Sequence, residues 1–320
     1  MVYQSVMSYL DPERHVTPLI ELLKLPQFIS DKARIFMKMA PLGNIKTVPA
    51  HYMLTQAHRN GWLQGVHTLV EASSGNMAVA LCDLCPYFGI ENFLAIIAND
   101  TAQCKQQELH IKGAQIQFTN SLPKGMSAIG YAKKLGQQEG FLNLCQYGNP
   151  DNPEAYFKLL APQIRSQLVE EGLGNKPFVF CTGMGSCGTL IGCGRYFLSI
   201  NGQNRIIGVY LSPGEMVPGV RDSKRLEEIT LSWRQIVDYC AEIGRYDSYK
   251  RQLELIHMGL NVGPSTGLAF QGLLEYLQIH EERKDVVAVF IAADSYKLYT
   301  DKPGTILKNE DLIKRMDSVV

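Results

Sequence analysis

Residues 178–197 read FVFCTGMGSCGTLIGCGRYF. The apolar run Phe178-Val179-Phe180-Cys181 ends in Gly183-Met184-Gly185-Ser186-Cys187-Gly188, and a stretch of helical pattern follows. A strand that turns through glycines into a helix aims backbone N–H groups and the positive end of the helix dipole at one point, which suits a phosphate. Taken as G-x-G-x-x-G, the turn has the form of a dinucleotide fingerprint. That reading also needs an acidic side chain about 20 residues further on, at the end of the next strand, for the ribose hydroxyls. The next strand-like run, Arg205–Tyr210, passes into Leu211-Ser212-Pro213 with no carboxylate, and Glu215 comes only after Pro213-Gly214. A loop binding a single phosphate is the better-supported reading.

The composition of the chain argues against a polyanion-binding protein. With 31 basic and 31 acidic residues among 320, the net charge is zero, whereas nucleic-acid binders usually carry a basic excess. A hydrophobic content of 46% with 19% charged residues lies in the globular range. No apolar run approaches the roughly 20 residues that span a bilayer. The opening MVYQSVMSYLDPERH lacks a basic region followed by an apolar one, so a cytoplasmic location is expected. Eight cysteines include Cys82-Asp83-Leu84-Cys85, but no second pair completes a zinc site, and no metal is expected. In NMAVALCDLC the two cysteines fall at helical spacing, as small hydrophobes do.

Strand-like and helical patterns alternate along nearly the whole chain, which predicts an α/β protein with mainly parallel sheets. Strands are expected at Arg34–Met39, Thr68–Glu71, Phe93–Ile97, Gln115–Thr119, Phe178–Cys181, Ile206–Tyr210 and Val286–Ile291. Helices are expected at Pro49–Asn60, Met77–Leu84, Cys104–Ile111, Ser127–Leu135 and Glu154–Glu170. The polar, proline-bearing Gln146–Tyr156 reads as a crossing between two halves, with a ligand cleft between them.

Three further loops carry chemistry. In KMAPLGNIKTVPA, Pro41 and Gly43 make a turn after a strand and set Lys46 just ahead of a helix. A positive dipole end and desolvation both favour a neutral, nucleophilic amine there, although a lysine read alone is more often a surface residue. In EASSGNMAVAL, Ser73-Ser74-Gly75-Asn76 gathers donors at a helix start, either for an anion or as a plain N-cap. In NVGPSTGLAFQG, Gly263-Pro264-Ser265-Thr266-Gly267 again opens a helix.

Lysine loop, S-G-N loop, glycine-rich loop and G-x-S-x-G loop, in this order, resemble the pyridoxal-phosphate (PLP) enzymes of the tryptophan-synthase-β type, or fold type II. Within that group the chain is most similar to cysteine synthase, particularly its B-type form (O-acetylserine or O-phosphoserine sulfhydrylase). VTPLIEL (Val16–Leu22), QYGNPDNPEAYF (Gln146–Phe157), VPGVR (Val217–Arg221) and GMGSCGTLIGCGRYF carry the likeness through the chain. The resemblance implies two three-layer α/β domains with a PLP cleft between them. The smaller, mobile one would hold residues 41–145, and the larger residues 1–40 and 146–320. It also implies a homodimer with no regulatory domain appended after Val320, acting on a small amino acid without nucleic-acid or membrane partners.

By the same resemblance Lys46 is the catalytic lysine bonded to the cofactor, and Asn76 partners the cofactor's 3′-oxygen. Gly185, Ser186, Cys187, Gly188 and Thr189 cradle its phosphate, and Ser265 faces its pyridine nitrogen. Ser73, Ser74, Gly75, Met77 and Gln146 hold the substrate carboxylate, and Arg221 favours an anionic leaving group or nucleophile. The implied reaction is β-replacement on an activated serine with sulfide or a similar nucleophile. A serine/threonine-type deaminase and a catalytically degenerate binding protein are the alternatives.

The chain departs from the family pattern at several positions. Asn44 replaces the usual serine, Thr47-Val48 replaces D-R, and Met77 replaces a threonine. Tyr156–Ile164 (YFKLLAPQI) loses a histidine and two threonines, and ADSYKLYT (Ala293–Thr300) loses a glycine. Cys187 stands where glycine or threonine is usual; a negative φ there would leave the backbone contacts of the loop unchanged.

Overall fold

The apolar runs pair into two separate sheets. The structure is a computed structural model that describes residues 5–23, 33–73, 75–99, 101, 103–280 and 285–296. The larger sheet contains β1 (Leu19–Glu21), β2 (Ala33–Met39), β10 (Val286–Ala292), β7 (Phe178–Gly183), β8 (Arg205–Leu211) and β9 (Tyr239–Ile243), in that spatial order. Only β1 runs antiparallel, pairing Leu19 with Lys38. The smaller sheet is wholly parallel, in the order β5 (Gln115–Phe118), β4 (Asn92–Ile97), β3 (Thr68–Ala72) and β6 (Phe141–Leu142).

Alternation of side chains across a strand explains the layers. Phe178 and Phe180 of β7 point to one face, where they pack with Phe197 of the Gly188–Ile200 helix and with Leu160 and Ile164. Val179 and Cys181 point to the other, against Leu268, Phe270 and Leu273 of the Pro264–Ile279 helix. The smaller sheet is likewise covered on both faces. Leu69 and Phe93 meet Met53 and Leu54 of the Thr47–Arg59 helix, and Val70 and Ile96 meet Ala132. Cys82 and Cys85 are buried in the first of these clusters, where burial pushes both thiols up to about 12. They are apolar filling there.

The expected helix over 154–170 begins earlier, as Asp151–Ala155, and passes through a π-helical turn, Tyr156–Leu160, before continuing as Ala161–Glu170. The carboxyl ends of β2, β3 and β7 lead into three of the chemically suggestive loops, as expected of parallel α/β sheets, whose ligands gather beyond those ends, and the G-P-S-T loop follows the Arg245–His257 helix.

Candidate active site

Beyond β2, Pro41–Gly43 forms a single turn in which Leu42 (φ 52) and Gly43 (φ 69) take left-handed backbone. The reversal delivers Lys46 to the N-cap of the Thr47–Arg59 helix. Asn44 is a working replacement for the usual serine. Its Oδ1 accepts from the Lys46 N–H at 2.9 Å, and its Nδ2 donates to the Asn76 carbonyl at 2.8 Å. The lysine loop is thereby fastened to the S-G-N loop. Burial lowers the Lys46 ammonium to about 8, although neighbouring Cys187 and Asp294 act in the opposite direction. The amine is therefore neutral in part near physiological pH, as a nucleophile must be.

A measurable consequence concerns pH. The neutral fraction of Lys46 rises about tenfold per pH unit below its pKa and levels off above it. The rate at which the cofactor-free protein takes up an aldehyde at Lys46, followed by stopped-flow absorbance, is expected to rise with pH and reach its midpoint near 8. A midpoint near 10 would mean that the amine is solvated.

The glycine-rich loop lies opposite. Gly185 approaches the neighbouring chain so closely that a Cβ would stand 2.3 Å from the carbonyl oxygen of Gly219. A Cβ on Gly188 would stand 2.1 Å from Oδ1 of Asn152. Asn152, fully buried, donates through Nδ2 to the Gln146 carbonyl at 2.7 Å and to Ser186 Oγ at 3.0 Å. Cys187 is the N-cap of the Gly188–Ile200 helix at φ 62 and ψ 4. The negative φ considered from sequence is therefore corrected: the turn into the helix needs left-handed backbone, which glycine supplies without strain and cysteine does not. Burial raises the Cys187 thiol to about 12 in spite of nearby Lys46 and Arg221. Thr189 sits in the first helical turn, where N–H groups have no partner within the helix.

Asn76 opens the Asn76–Leu84 helix. Its Nδ2 donates to the Asp294 carboxylate, and its Oδ1 accepts from Lys105 Nζ at 3.3 Å. An acceptor-only group at one end and a donor-only group at the other fix which way the amide faces. Ser73 Oγ accepts from the Gly75 N–H at 3.4 Å, and Ser74 lies outside the described residues. Met77 is buried in the core beneath the smaller sheet. Its thioether is thus packed away, and only its backbone borders the loop.

Gln146 is buried beside Glu71, whose carboxyl accepts from the Cys145 N–H at 3.0 Å and from the Gln146 N–H. Ser265, also buried, is the second residue of the Pro264–Ile279 helix, and its carbonyl oxygen would lie 3.8 Å from a Cβ on Gly183. Arg221 is 6% exposed. Its guanidinium lies 4.4 Å over the Tyr147 ring and donates to Glu228 Oε2 at 2.7 Å, while its N–H donates to the Met184 carbonyl at 2.9 Å.

Sequence reasoning passed over Asp294. Besides holding Asn76, this residue follows Ala293, whose carbonyl accepts from the Ile45 N–H at 2.8 Å. The Asp294 carbonyl accepts from the Gly263 N–H, also at 2.8 Å. Residues 293–294 thus tie together the lysine, S-G-N and G-P-S-T loops. The only prior signal was position, directly after a buried strand.

Residues 10–292 match the family described as pyridoxal-phosphate dependent enzymes. The chain is 31% identical over 206 residues to cysteine synthase B of Pseudomonas aeruginosa, a match covering 64% of this chain and 67% of that protein. It is 28% identical to cystathionine beta-synthase of Saccharomyces cerevisiae across 94% of its own length, but spans only 65% of that longer enzyme. In three dimensions it superposes on a hydrogen sulfide-producing enzyme from Fusobacterium nucleatum with a TM-score of 0.80, covering 94% of this chain and 99% of the other at 20% identity. That last likeness is one of fold. The family match spans both sheets and all four loops, and the chain belongs to the pyridoxal-phosphate dependent enzymes.

Proposed function

We propose that the protein catalyses β-replacement on an activated serine, O-acetylserine or O-phosphoserine, with sulfide or a similar nucleophile, yielding cysteine or a related amino acid. The observation that carries this reading is the placement of a half-buried, partly neutral Lys46 beside a glycine-rich helix start, with Asn76 tied to the same cluster. The residues present fit pyridoxal phosphate. Gly185 and Gly188 leave no room for a Cβ, and the N–H groups of the first turn are available to a phosphate. When bound, the cofactor supplies an electrophilic carbon and a ring that takes up the electron pair left at Cα.

The chain's own residues do the rest in this reading. Lys46 attaches the cofactor and then, as a free amine, removes the Cα proton. Gly185, Ser186, Cys187, Gly188 and Thr189 hold the phosphate, and Asn76 donates through Nδ2 to the 3′-oxygen. Ser265, a neutral hydroxyl, faces the pyridine nitrogen and leaves it largely unprotonated, which favours elimination and replacement over transamination. Ser73, Ser74, Gly75, the Met77 backbone and Gln146 receive the substrate carboxylate.

The unit over 41–145 closes on the larger one, formed by 1–40 and 146–320, to exclude water. The protein acts as a cytoplasmic homodimer on a small amino acid, without nucleic-acid or membrane partners. Among the described residues no helix is long and apolar enough to cross a membrane.

The test is cysteine formation from O-acetylserine or O-phosphoserine with sulfide. Pyruvate release at the same rate without any nucleophile would instead make the protein a deaminase. Arg221 is assigned to the anionic group of the substrate. Arg221→Ala is expected to lower kcat/KM for O-phosphoserine about tenfold more than for O-acetylserine, the value of one charge-assisted contact. Equal losses with both substrates would reduce Arg221 to its pairing with Glu228 and Tyr147.

A further inference from the structure

By the resemblance drawn from sequence Tyr156 takes the place of a histidine, and its side chain is completely buried. It begins the π-helical turn Tyr156–Leu160, a widened geometry that re-aims side chains and often occurs at functional sites. The ring descends onto the Gly188–Ile200 helix at Gly192, where a Cβ would stand 2.8 Å from the Tyr156 Cβ. Its hydroxyl donates to the carbonyl of Ile45 at 3.2 Å. Ile45 precedes the N-cap Lys46, so its carbonyl lies outside the helical ladder, and Pro49, four positions on, has no N–H to offer it. The Thr189 hydroxyl lies against the same phenol. Burial holds the phenol well above its usual pKa, so it stays protonated and able to donate.

One side chain therefore touches the residue before Lys46 and the first turn of the helix that follows the glycine-rich loop. We infer that Tyr156 is a positioning residue that fixes the separation between Lys46 and the phosphate loop, so that a two-ended ligand is held at both ends at once. The inference rests on the reading that pyridoxal phosphate is that ligand. A ligand gripped at two points gains from the second grip only when the anchors are already at the right spacing. Removing the link should penalise a two-ended ligand more than a one-ended one.

The full-length protein, freed of cofactor, is titrated with pyridoxal phosphate and with pyridoxal, which lacks the phosphate, and the visible band is followed. In Tyr156→Phe, which keeps the ring and its packing, affinity for pyridoxal phosphate is expected to fall about tenfold and that for pyridoxal by less than about twofold. Tyr156→His, which keeps a donor, is expected to retain the wild-type ratio of the two affinities to within about threefold. Equal losses for both ligands in Tyr156→Phe, or no loss for either, would overturn the inference while leaving the cofactor reading intact. A wild-type protein that develops no band with pyridoxal phosphate would overturn both.

Discussion

Lys46→Ala is expected to lose the visible absorbance that the wild-type protein develops with pyridoxal phosphate, and to lose at least about 10³-fold in turnover. The size of the effect follows from two duties falling on one amine, attachment of the cofactor and removal of a proton from the substrate. Another lysine, Lys105, is buried in the same neighbourhood, with Nζ 3.3 Å from Asn76 Oδ1 and 3.1 Å from Glu108 Oε2. Its Nζ is engaged by that carboxylate and by the Asn76 amide, whereas burial lowers the Lys46 ammonium to about 8. Absorbance spectra of Lys46→Ala and Lys105→Met, each incubated with the cofactor, separate the two. A band that survives in Lys46→Ala and vanishes in Lys105→Met would reverse the assignment.

Gly185→Ala is expected to lower affinity for pyridoxal phosphate by at least about 100-fold, about 2.8 kcal/mol at 1.4 kcal/mol per tenfold. The added methyl would stand 2.3 Å from the Gly219 carbonyl, a backbone atom that cannot rotate away. Either the glycine-rich loop or residues 217–221 must move, and the hydrogen bond from the Arg221 N–H to the Met184 carbonyl stretches with them. Overpacking of this kind costs about 1–3 kcal/mol in stability. The thermal midpoint should therefore fall while the protein remains folded. Gly202→Ala, where the methyl meets nothing within 4 Å, is the matched control and should leave both quantities unchanged. Cofactor titration of the two variants, with a thermal melt of each, gives the comparison.

The parts of the site that could be read from sequence are those whose chemistry is local. A glycine-rich turn between a buried strand and a helix announces itself within a dozen residues, as does a lysine set just ahead of a helix. The strands buried on both faces were equally legible, because parallel strands covered by helices read as continuous apolar runs. Tyr239–Ile243 was not among the expected strands. It lies at the edge of the larger sheet, and its exposed Glu242 breaks the apolar pattern. The Arg245–His257 helix, whose sequence is dominated by polar and charged residues, was missed for a similar reason.

Asp294, Lys105 and Tyr156 were illegible for a different cause. Their partners at Asn76 and Ile45 are distant in sequence, so even where the surrounding stretch resembles the family, as around Tyr156 and Asp294, the residue's role is not written locally. Asn44 shows the reverse. It reads as a departure from the family pattern, yet its amide does two jobs at once, holding the Lys46 N–H and the Asn76 carbonyl.

The position of β10 in the larger sheet governs how the molecule must be assembled. This strand lies between β2 and β7, with Val286 paired to Ala33 and Val287 to Phe178. On the ribosome, the centre of the larger sheet therefore stays open until residues 286–292 have emerged, and β2 waits from early in synthesis until then for its parallel neighbour. The smaller sheet, whose strands all lie between Thr68 and Leu142, carries no such delay. Pairings of long sequence separation are slow to form and leave apolar edges open in the meantime. Because residues 293–294 follow β10 directly and tie three of the site loops together, those loops are joined only once β10 has inserted. Nascent chains cut short before Val286 would carry an intact smaller sheet and no assembled active site.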